Sequence, residues 1–267
     1  MNGAAASSMD PRTVSGLLNS SRSFYRIRTM SESPSTNDEM KTAARLGEPE
    51  GLVVIADRQS AGRGRMRRAF FSPEGSGLYM SILLRPSLKA GDSVLITAAA
   101  AVAVAEAIES LTGRDARIKW VNDIFLDGKK VCGILTEGTI SADGHLESAV
   151  LGIGVNIASP PGGFPETLQD IAGAVFSSEA PKEARACLAA NILERFYGYR
   201  ALEARAFLGG YRDRSLVVGR PVMVTLGEEI FPALAKSIDD DCRLIVETAK
   251  GALPLCAGEV SIRPLES

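Results

Sequence analysis

The pattern of hydrophobic and polar positions predicts both strands and a long helix in the first half of the chain. Residues 51 to 57 are predicted to form a buried strand, and residues 78 to 84 alternate with the period of a strand that ends at Pro86. The apolar run from Val94 to Ala105 is shorter than the roughly 20 residues that a spanning helix needs. It predicts a buried helix from about residue 93 to residue 111, with Asp92 as its cap and Gly113 as its stop.

A second helix is predicted after Thr36. Thr36-Asn37-Asp38-Glu39 has the form of a capping box, in which a hydroxyl and a carboxylate satisfy free backbone N–H groups of the first turn. Apolar residues from Met40 to Leu46 follow at helical spacing, and Gly47 ends the pattern.

Short strands joined by tight turns are predicted in the middle of the chain, at residues 116–121, 124–126, 130–140 and 146–157. Asp127-Gly128 is a strong signal for a two-residue hairpin turn, because both central positions need a positive φ. A run of adjacent hairpins indicates a mixed or antiparallel sheet rather than a series of βαβ units. The predicted fold class is therefore α/β in the broad sense, of the α+β kind.

The last part of the chain has a different pattern. Pro181 begins a helix that is predicted to run to about Ala206. Beyond Val217 the sequence changes to short strands separated by turns, and about 50 residues of this kind predict a small closed barrel. A domain boundary is therefore expected between Gly209 and Val217.

Composition narrows the class of protein. The 267 residues are 45% hydrophobic, which allows a substantial core, and a net charge of −2 with a pI of about 5.7 argues against general nucleic-acid binding. Cys132, Cys187, Cys242 and Cys256 are widely spaced and no secretory signal is recognisable, so they are expected to be reduced, buried thiols of a cytoplasmic protein. Residues 1–23 are expected to form a flexible tail, and the acid at position 10 argues against a transit peptide.

Positive charge is concentrated in one segment. Five arginines and no acid occur in Arg58-Gln59-Ser60-Ala61-Gly62-Arg63-Gly64-Arg65-Met66-Arg67-Arg68. The two glycines beside Arg63 free the backbone, and guanidinium groups on such a loop pair with carboxylate or phosphate oxygens. Neighbouring backbone N–H groups can approach the same anion. The segment is typical of a loop that closes on a small phosphorylated anion, and a solvated arginine-rich surface loop is the alternative.

The segment from Lys119 to Gly133 favours the anion-binding alternative. Asn122-Asp123 lies at the break before the outgoing strand of the predicted hairpin, and Lys130 lies early on the returning strand. A lysine there is unusual for a purely structural hairpin, although lysines also protect edge strands from unwanted pairing. Lys129 suits that protective role as well as Lys130 does, so spacing alone does not distinguish them.

The sequence also limits the possible chemistry. The single histidine, His145, follows Gly144 in a turn, so Ser-His-Asp catalysis and a histidine-rich metal site are not expected. The segment Gly152-Ile153-Gly154-Val155-Asn156 lacks the third glycine and the helix of a dinucleotide fingerprint, and no GxxxxGK[ST] loop occurs. Its glycines are expected to let a ligand lie against the backbone. The cations Arg63, Arg65 and Lys130 remain as the chemical groups of the site.

Taken in order, these motifs resemble the biotin protein ligase (holocarboxylase synthetase) family over about residues 24 to 265. The matching residues are Ser35-Thr36-Asn37-Asp38, Gln59, Gly62-Arg63-Gly64-Arg65, Phe71-Ser72-Pro73, Lys119-Trp120-x-Asn122-Asp123, Lys130, Gly133, Gly152-x-Gly154-x-Asn156, Gly219-Arg220-Pro221-Val222 and Gly258-Glu259-Val260-Ser261. Two positions depart from the family pattern. Val121 replaces the usual proline, which is expected to loosen that turn, and Phe70 replaces a common tryptophan, which is expected to weaken stacking on adenine.

The resemblance implies an SH2-like mixed-sheet catalytic domain over residues 24–213 and a small SH3-like β-barrel over residues 214–267. It implies that biotin and MgATP give biotinyl-5′-AMP, and that a lysine of a biotin carboxyl carrier domain, of acetyl-CoA carboxylase or a related carboxylase, then attacks this intermediate. No tightly bound prosthetic group is implied. A lipoate or octanoate ligase and a biotin-responsive regulatory protein are the alternatives.

The same resemblance implies the remaining partners. About 34 residues precede Ser35, too few for the winged helix-turn-helix of bifunctional ligases, so a monofunctional enzyme without DNA binding is expected. Neither a membrane nor a tight oligomer is implied, and a monomer or weak homodimer is expected.

Residue roles are carried over from the family motifs. Lys130 is expected to contact the biotin carboxylate and the α-phosphate, while Arg63 and Arg65 close over the phosphate as further catalytic residues. The expected biotin-binding residues are Ser35, Thr36, Asn37, Gln59, Gly62, Arg63, Gly64, Arg65, Lys130, Gly133 and Gly152. The expected adenylate-binding residues are Arg63, Arg65, Phe70, Lys119, Asn122, Asp123 and Asn156, with Asp123 also a weak candidate for binding Mg²⁺.

Overall fold

The computed structural model of the chain describes residues 9–177, 179–256 and 260–264, and a seven-stranded sheet forms its larger part. The strands are β1 (Arg26–Ser33), β2 (Leu52–Gln59), β3 (Gly77–Leu84), β4 (Arg117–Lys119), β5 (Asp123–Leu126), β6 (Lys129–Ile140) and β7 (Leu146–Asn156). They lie in the order β1-β2-β3-β7-β6-β5-β4. β1 and β2 are parallel, and the other neighbouring strands are antiparallel. The predicted mixed sheet is confirmed.

Helices cover both faces of this sheet. They are α1 (Pro11–Leu17), α2 (Thr36–Arg45), α3 (Val94–Thr112), α4 (Ala184–Tyr199) and α5 (Leu208–Asp213). Leu52 and Val54 of β2 pack beneath α2, whereas Val53 and Ile55 belong to the main core, which contains α3 and α4. Because both faces of β2 are buried from Leu52 to Ala56, that part of its sequence is a continuous apolar run and does not alternate.

α3 is the long apolar helix that the sequence predicts. Together with the 3₁₀ turn before it, the segment Ala90–Thr112 is long and apolar enough to cross a membrane, but most of it is buried inside the molecule. Gly113 ends the helix with a φ of 69°, as predicted. The predicted cap is wrong, because Ser93 holds the N-cap position without a side-chain hydrogen bond and Asp92 lies in the 3₁₀ turn.

The capping box predicted for α2 does not form. Ser35 holds the N-cap position, again without a side-chain capping bond, and Thr36 is the first helical residue. The Glu39 carboxylate accepts a hydrogen bond from Ser33 Oγ at 3.3 Å, while the Thr36 hydroxyl bonds to Gln59 and Ser81. Contacts with distant residues therefore replace the local bonds that the sequence pattern predicts.

The Asp127-Gly128 hairpin between β5 and β6 is confirmed. The two residues have φ values of 46° and 77°, the conformation that a two-residue turn of this type requires. The pairing then shifts by one residue, since Phe125 is opposite Lys130 whereas Ile124 is opposite Cys132. The resulting β-bulge lies directly beside Lys130, and bulges of this kind change the direction of nearby side chains.

The C-terminal strands form a second, antiparallel sheet. They are β8 (Pro221–Leu226), β9 (Glu229–Ile238), β10 (Leu244–Thr248), β11 (Gly251–Leu255) and β12 (Val260–Pro264), in the order β11-β10-β9-β8-β12. Over the described residues, β11 and β12 are the two edges of this sheet, so the closure of the predicted barrel is not formed there. Two residues of the C-terminal motif, Gly258 and Glu259, lie outside the described residues.

The cysteines and the single histidine differ in how far they are buried. All four cysteines are free, with Cys132 and Cys242 buried, Cys187 partly buried and Cys256 exposed. The expectation of reduced thiols agrees with this, but the expected burial is wrong for Cys256, which follows the end of β11. His145 is exposed in its turn, with Nδ1 3.3 Å from the Asp143 carboxylate, as a surface residue would be.

The prediction of a flexible tail is wrong for the described residues between 9 and 23. Asp10 caps α1 by accepting a hydrogen bond from the backbone of Arg12, and Pro11 occupies the first turn. Val14 and Leu18 are fully buried, and α1 packs against α4 and β1. Polar composition concealed a short amphipathic helix whose buried residues are four positions apart.

Glu194 of α4 anchors the segment that follows α1. Its carboxylate accepts hydrogen bonds from the backbone N–H groups of Asn19 and Ser21 and from the hydroxyls of Ser20 and Ser21, at 2.6–3.1 Å. Burial favours the neutral acid, but the hydrogen bonds from Ser21, Ser20 and Asn19 outweigh it and lower the pKa of Glu194 to about 2. The ionised carboxylate therefore holds the N-terminal segment to the core.

Glu194→Gln is expected to lower the free energy of unfolding by about 1–2 kcal/mol at neutral pH, because hydrogen bonds to charged acceptors are the stronger ones. The folded pKa lies below the ordinary value of 4.5, so this contribution is complete above pH 4.5 and is lost as the pH falls towards 2. Urea unfolding of both proteins over this range measures the difference. A difference between them that does not depend on pH would contradict the assignment.

Candidate functional site

Five parts of the fold surround a cavity of about 320 Å³. They are the start of α2, the arginine loop (residues 58–71), the β5–β6 hairpin, the glycines of β6 and β7, and the loop of residues 160–173 after β7. The structure places every predicted site residue on this cavity except Gly62. Gly62 is a buried residue of the arginine loop itself, at a position where a Cβ would come within 2.5 Å of the Phe70 carbonyl oxygen. Its part in the site is to let this loop fold.

The arginine loop is folded back on itself above the cavity. Its base is fixed by two bonds between Gln59 and Ser72, from N to the carbonyl oxygen at 3.1 Å and from Nε2 to Oγ at 3.0 Å. The Phe70 N–H donates to the Gly62 carbonyl at 2.8 Å, and the Gly64 N–H donates to the Arg68 carbonyl at 2.7 Å. Arg63 and Arg65 flank Gly64 in this folded loop. Arg63 bonds to Asp38, and Arg65 bonds to Asn122.

Glycines form the floor of the cavity. Gly133 of β6 is paired with Gly154 of β7, and the Phe70 ring lies on them, since a Cβ at Gly154 would come within 2.6 Å of its Cε1. A Cβ at Gly152 would come within 2.2 Å of Asn37 Oδ1. The side chains of Phe70 and Asn37 approach these glycines closely, and the contact of a ligand with the same backbone stays a prediction.

One end of the cavity is neutral and polar. Gln59 Oε1 accepts hydrogen bonds from the Thr36 backbone N–H at 2.9 Å and from the Thr36 hydroxyl at 3.2 Å. The fully buried Ser81 hydroxyl lies 2.7 Å from Thr36 Oγ1 and 2.6 Å from Asn37 Oδ1. Ser81 is not among the predicted site residues, although a serine in an otherwise apolar strand is a visible signal. These neutral donors and acceptors bond to one another, and Thr36, Asn37 and Gln59 line this end of the cavity.

The other end carries the cations. Lys130 Nζ lies 2.7 Å from Asp123 Oδ1, and Asn122 Nδ2 donates to the same oxygen at 3.0 Å. Arg65 Nη1 donates to Asn122 Oδ1 at 3.1 Å, which joins the four side chains in one chain of contacts. Burial lowers the pKa of Arg65, and the neighbouring Asp123 carboxylate opposes this effect. The arrangement holds two partly buried cations beside the glycine floor.

The structure distinguishes the two lysines that spacing could not. Lys130 lines the cavity, whereas the Lys129 ammonium donates to the backbone carbonyls of Gln169 and Asp170 at 3.2 and 2.7 Å. Lys129 thus holds the loop of residues 160–173 in place. Of the two lysines, Lys130 alone lines the cavity with its charge.

Asp123 does not form part of a carboxylate cluster. Among the residues that the structure describes, no group of three or more His, Cys, Asp or Glu side chains could hold a metal ion. The Oδ1 atom of Asp123 is already used by Lys130 and Asn122. Magnesium prefers several oxygen ligands and keeps much of its water, so this donor set does not fit a metal site made by the protein. Asp123 is better suited to holding the lysine.

The loop of residues 160–173 forms the outer wall of the cation end, which sequence analysis missed. Phe164, Leu168 and Ile171 line the cavity. The Lys130 N–H donates to the Ile171 carbonyl and the Gly173 N–H donates to the Lys130 carbonyl, both at 2.8 Å. The spacing of these apolar residues after Pro160-Pro161-Gly162-Gly163 was the available signal.

The remaining predicted adenylate-binding residues also lie at this end. Asn156 Nδ2 donates to the Gly173 carbonyl at 3.0 Å, and Asn122 Nδ2 donates to the Ile134 carbonyl at 2.9 Å. The Lys119 ammonium lies 5.8 Å from the centre of the Phe125 ring. Both asparagines thus bond to the backbone around the cavity that they line.

The C-terminal sheet supports the turn that carries Asn122. The Trp120 indole N–H donates to the Cys242 carbonyl at 3.0 Å, and the Tyr211 hydroxyl donates to the Val121 carbonyl at 2.9 Å. The Trp120–Val121 peptide bond is cis, and both side chains are buried. The turn is therefore attached to the second domain and to α5.

Comparison with known proteins identifies the family. Residues 30–156 match the model of the biotin/lipoate A/B protein ligase family, and residues 217–263 match that of the biotin protein ligase C-terminal domain. The bifunctional ligase/repressor BirA of Bacillus subtilis is 35% identical over 229 residues, which cover 83% of this chain and 70% of that protein. The chain belongs to the biotin protein ligase family.

Other members of the family are similar over nearly their whole length. The biotin–[acetyl-CoA-carboxylase] ligase of Mycobacterium tuberculosis is 28% identical, over 94% of this chain and 95% of that protein. The structure of the Aquifex aeolicus biotin protein ligase in complex with biotin and ATP has a TM-score of 0.73 and 27% identity, and covers 91% of this chain and 100% of that one. The resemblance stated from the sequence motifs is confirmed.

Proposed function

We propose that this chain is an ATP-dependent biotin–protein ligase. It activates biotin as biotinyl-5′-AMP and transfers the biotinyl group to one lysine of a biotin carboxyl carrier domain. Membership of the family supports this proposal, as do relatives named biotin–[acetyl-CoA-carboxylase] ligase and a similar structure titled as a complex with biotin and ATP.

The observation that carries the proposal is the polarity of the cavity. Its neutral end, around Thr36 and Gln59, suits the N–H and carbonyl groups of a ureido ring. Its cation end, around Lys130 and Arg65, suits a carboxylate that meets a phosphate. An acid with a neutral hydrogen-bonding ring at one end and a carboxylate at the other would occupy both ends of one cavity.

In the first step, a biotin carboxylate oxygen attacks the α-phosphorus of ATP, a new P–O bond forms, and the bond to pyrophosphate breaks. Two anions must approach each other, and the cations of Lys130 and Arg65 reduce their repulsion and stabilise the charge of the transition state. Asp123 holds the lysine ammonium in position. Magnesium enters with the ATP phosphates as part of the substrate.

In the second step, the neutral amine of a carrier lysine attacks the acyl carbon of the mixed anhydride. An amide bond forms, the C–O bond to AMP breaks, AMP leaves, and the proton lost by the amine nitrogen passes to water. The cation end is proposed to stabilise the departing phosphate, because the same oxygens carry its charge.

We further propose the finer assignments that accompany this function. The catalytic domain comprises residues 24–213 and the C-terminal domain residues 214–267, in line with two separate sheets. The acceptor is the carrier domain of acetyl-CoA carboxylase or a related carboxylase, and the protein works in the cytoplasm. Phe70, which lies on the glycine floor, is proposed to stack on the bound adenylate.

Purified protein is expected to add one biotinyl group to a carrier domain only when biotin, ATP and magnesium are all present. Intact-mass spectrometry measures the addition and peptide mapping locates it. A carrier domain whose acceptor lysine is replaced by arginine is the control and should stay unmodified. Release of pyrophosphate without any modification of the intact carrier would contradict the transfer step.

A further inference from the structure

Two acids outside the cavity hold the arginine loop. Asp38 in the first turn of α2 and Glu137 of β6 do not line the cavity, and both face Arg63. An Arg63 Nη2 hydrogen bond joins Asp38 Oδ1, and the same nitrogen lies 3.8 Å from Glu137 Oε2. Lys41 bonds to Glu137 and lies 3.9 Å from Asp38. These four residues, here the Asp38–Glu137 cluster, join three separate elements of the fold.

Glu137 also connects this cluster to the neutral end of the cavity. Its Oε2 accepts a hydrogen bond from Asn37 Nδ2 at 2.8 Å, and Asn37 Oδ1 accepts one from the buried Ser81 hydroxyl at 2.6 Å. Asn37 lies against Gly152, where even a Cβ would collide with it. The position of the arginine loop is therefore linked, through two side chains, to the wall that faces the ligand.

The two arginines of the loop differ in how their charge is used. Arg65 donates a hydrogen bond to Asn122, which in turn donates one to Asp123 of the Lys130–Asp123 pair at the cation end. Arg63 is matched by two carboxylates on the outer side of the cavity, and its hydrogen bond to Asp38 raises its pKa. A guanidinium matched in this way contributes less to binding a further anion than to fixing the backbone that carries it.

We propose that Asp38 and Glu137 are positioning residues that hold the arginine loop over the cavity through Arg63, and so determine how long the activated acyl-adenylate is retained. The inference rests on the proposed function for its ligand. In this proposal, Arg63 keeps the arginine loop over the cavity by bonding to Asp38 and Glu137, in addition to any contact that it makes with phosphate. Retention matters because a mixed anhydride released into water acylates other amines or is hydrolysed.

Asp38→Asn keeps the shape of the side chain and removes its charge. We expect it to speed the release of preformed biotinyl-5′-AMP about three- to tenfold while the kcat of pyrophosphate–ATP exchange stays within about twofold, since the ion pair is partly exposed. Glu137→Gln should act in the same direction and also raise the KM for biotin, through Asn37. Glu48→Gln is the matched control, because Glu48 forms an ion pair of similar exposure with Arg28, 2.6 Å away. It should not change release.

A double-mutant cycle tests whether Asp38 acts through Arg63. Arg63→Gln should speed release, and adding Asp38→Asn to it should have little further effect. Release that is as slow in Asp38→Asn as in the Glu48→Gln control would overturn the proposal. A release rate of the double variant equal to the product of the two single effects would also overturn it.

Limited trypsin digestion of the protein alone separates this inference from the proposed function. Cleavage after Arg65 to Arg68 should be faster in Asp38→Asn than in the wild type and the Glu48→Gln control. If the wild type forms no adenylate from biotin, the proposed function fails, and the digestion still decides whether the acids hold the loop. Equal cleavage of all three proteins would show that they do not.

Discussion

Lys130→Ala is expected to lower the rate of biotinyl-5′-AMP formation by about 10²–10⁴-fold, because it removes a partly buried cation from the place where negative charge develops. The Lys130 ammonium is held 2.7 Å from Asp123 at the cation end of the cavity, which fixes its direction before the substrates bind. Single-turnover measurement of adenylate formation at saturating biotin and ATP isolates the chemical step. Lys130→Arg keeps a charge but changes its shape, and should recover only part of the rate.

Lys129→Ala is the matched control for this prediction. Its ammonium holds the carbonyls of Gln169 and Asp170, so its loss should loosen the loop of residues 160–173. We expect a change in the rate of less than about fivefold, and a larger effect on the KM for ATP than on kcat. If both alanine variants lose the same rate, or Lys129→Ala loses more, the assignment of the catalytic lysine is wrong.

Local chemistry was enough to predict the hairpin that carries this lysine, but not which lysine faces the cavity. Asp127 and Gly128 both adopt the positive φ that this turn requires. Their preference for this conformation is a local property, so it can be read directly from the sequence. The direction of Lys130 depends on a β-bulge, where Ile124 pairs with Cys132 and Phe125 with Lys130. A bulge arises from how two strands pair, so the periodicity of a single strand cannot predict it.

At the start of α2, local spacing predicted a capping box that does not form. Thr36 to Glu39 fit a capping box, yet the Thr36 hydroxyl bonds to Gln59 and Ser81, which are 23 and 45 residues away. Partners at such distances along the chain leave no mark on local spacing. The same reason hid Glu137, which is 100 residues from the Asn37 that it holds. Motifs therefore predicted about half of the residues that line the cavity, whereas the residues that position them became visible only in the fold.

The second large effect is expected in the choice of acid. Lipoate ligases use the same activated-acyl chemistry, and the matching family model includes them, so Lys130 and the arginine loop do not decide between biotin and lipoate. The choice between the two acids is expected to depend on the neutral end of the cavity. Thr36, Gln59, Asn37 and Ser81 form a buried network of donors and acceptors there, and Ser81 is fully buried. A ureido ring can pair with such groups, but a dithiolane or an alkyl chain cannot.

Biotin is expected to exceed lipoate and octanoate by about 10³-fold or more in kcat/KM, because only a ureido ring can form hydrogen bonds with the polar groups of the neutral end. Pyrophosphate–ATP exchange with the three acids, measured side by side at equal enzyme concentration, gives the ratios. Thr36→Val removes a hydroxyl from the neutral end without removing charge, so it should lower kcat/KM for biotin and leave the weak activity with octanoate nearly unchanged. Lipoate activity equal to that with biotin would exclude the biotin assignment, while the adenylating role of Lys130 would still stand.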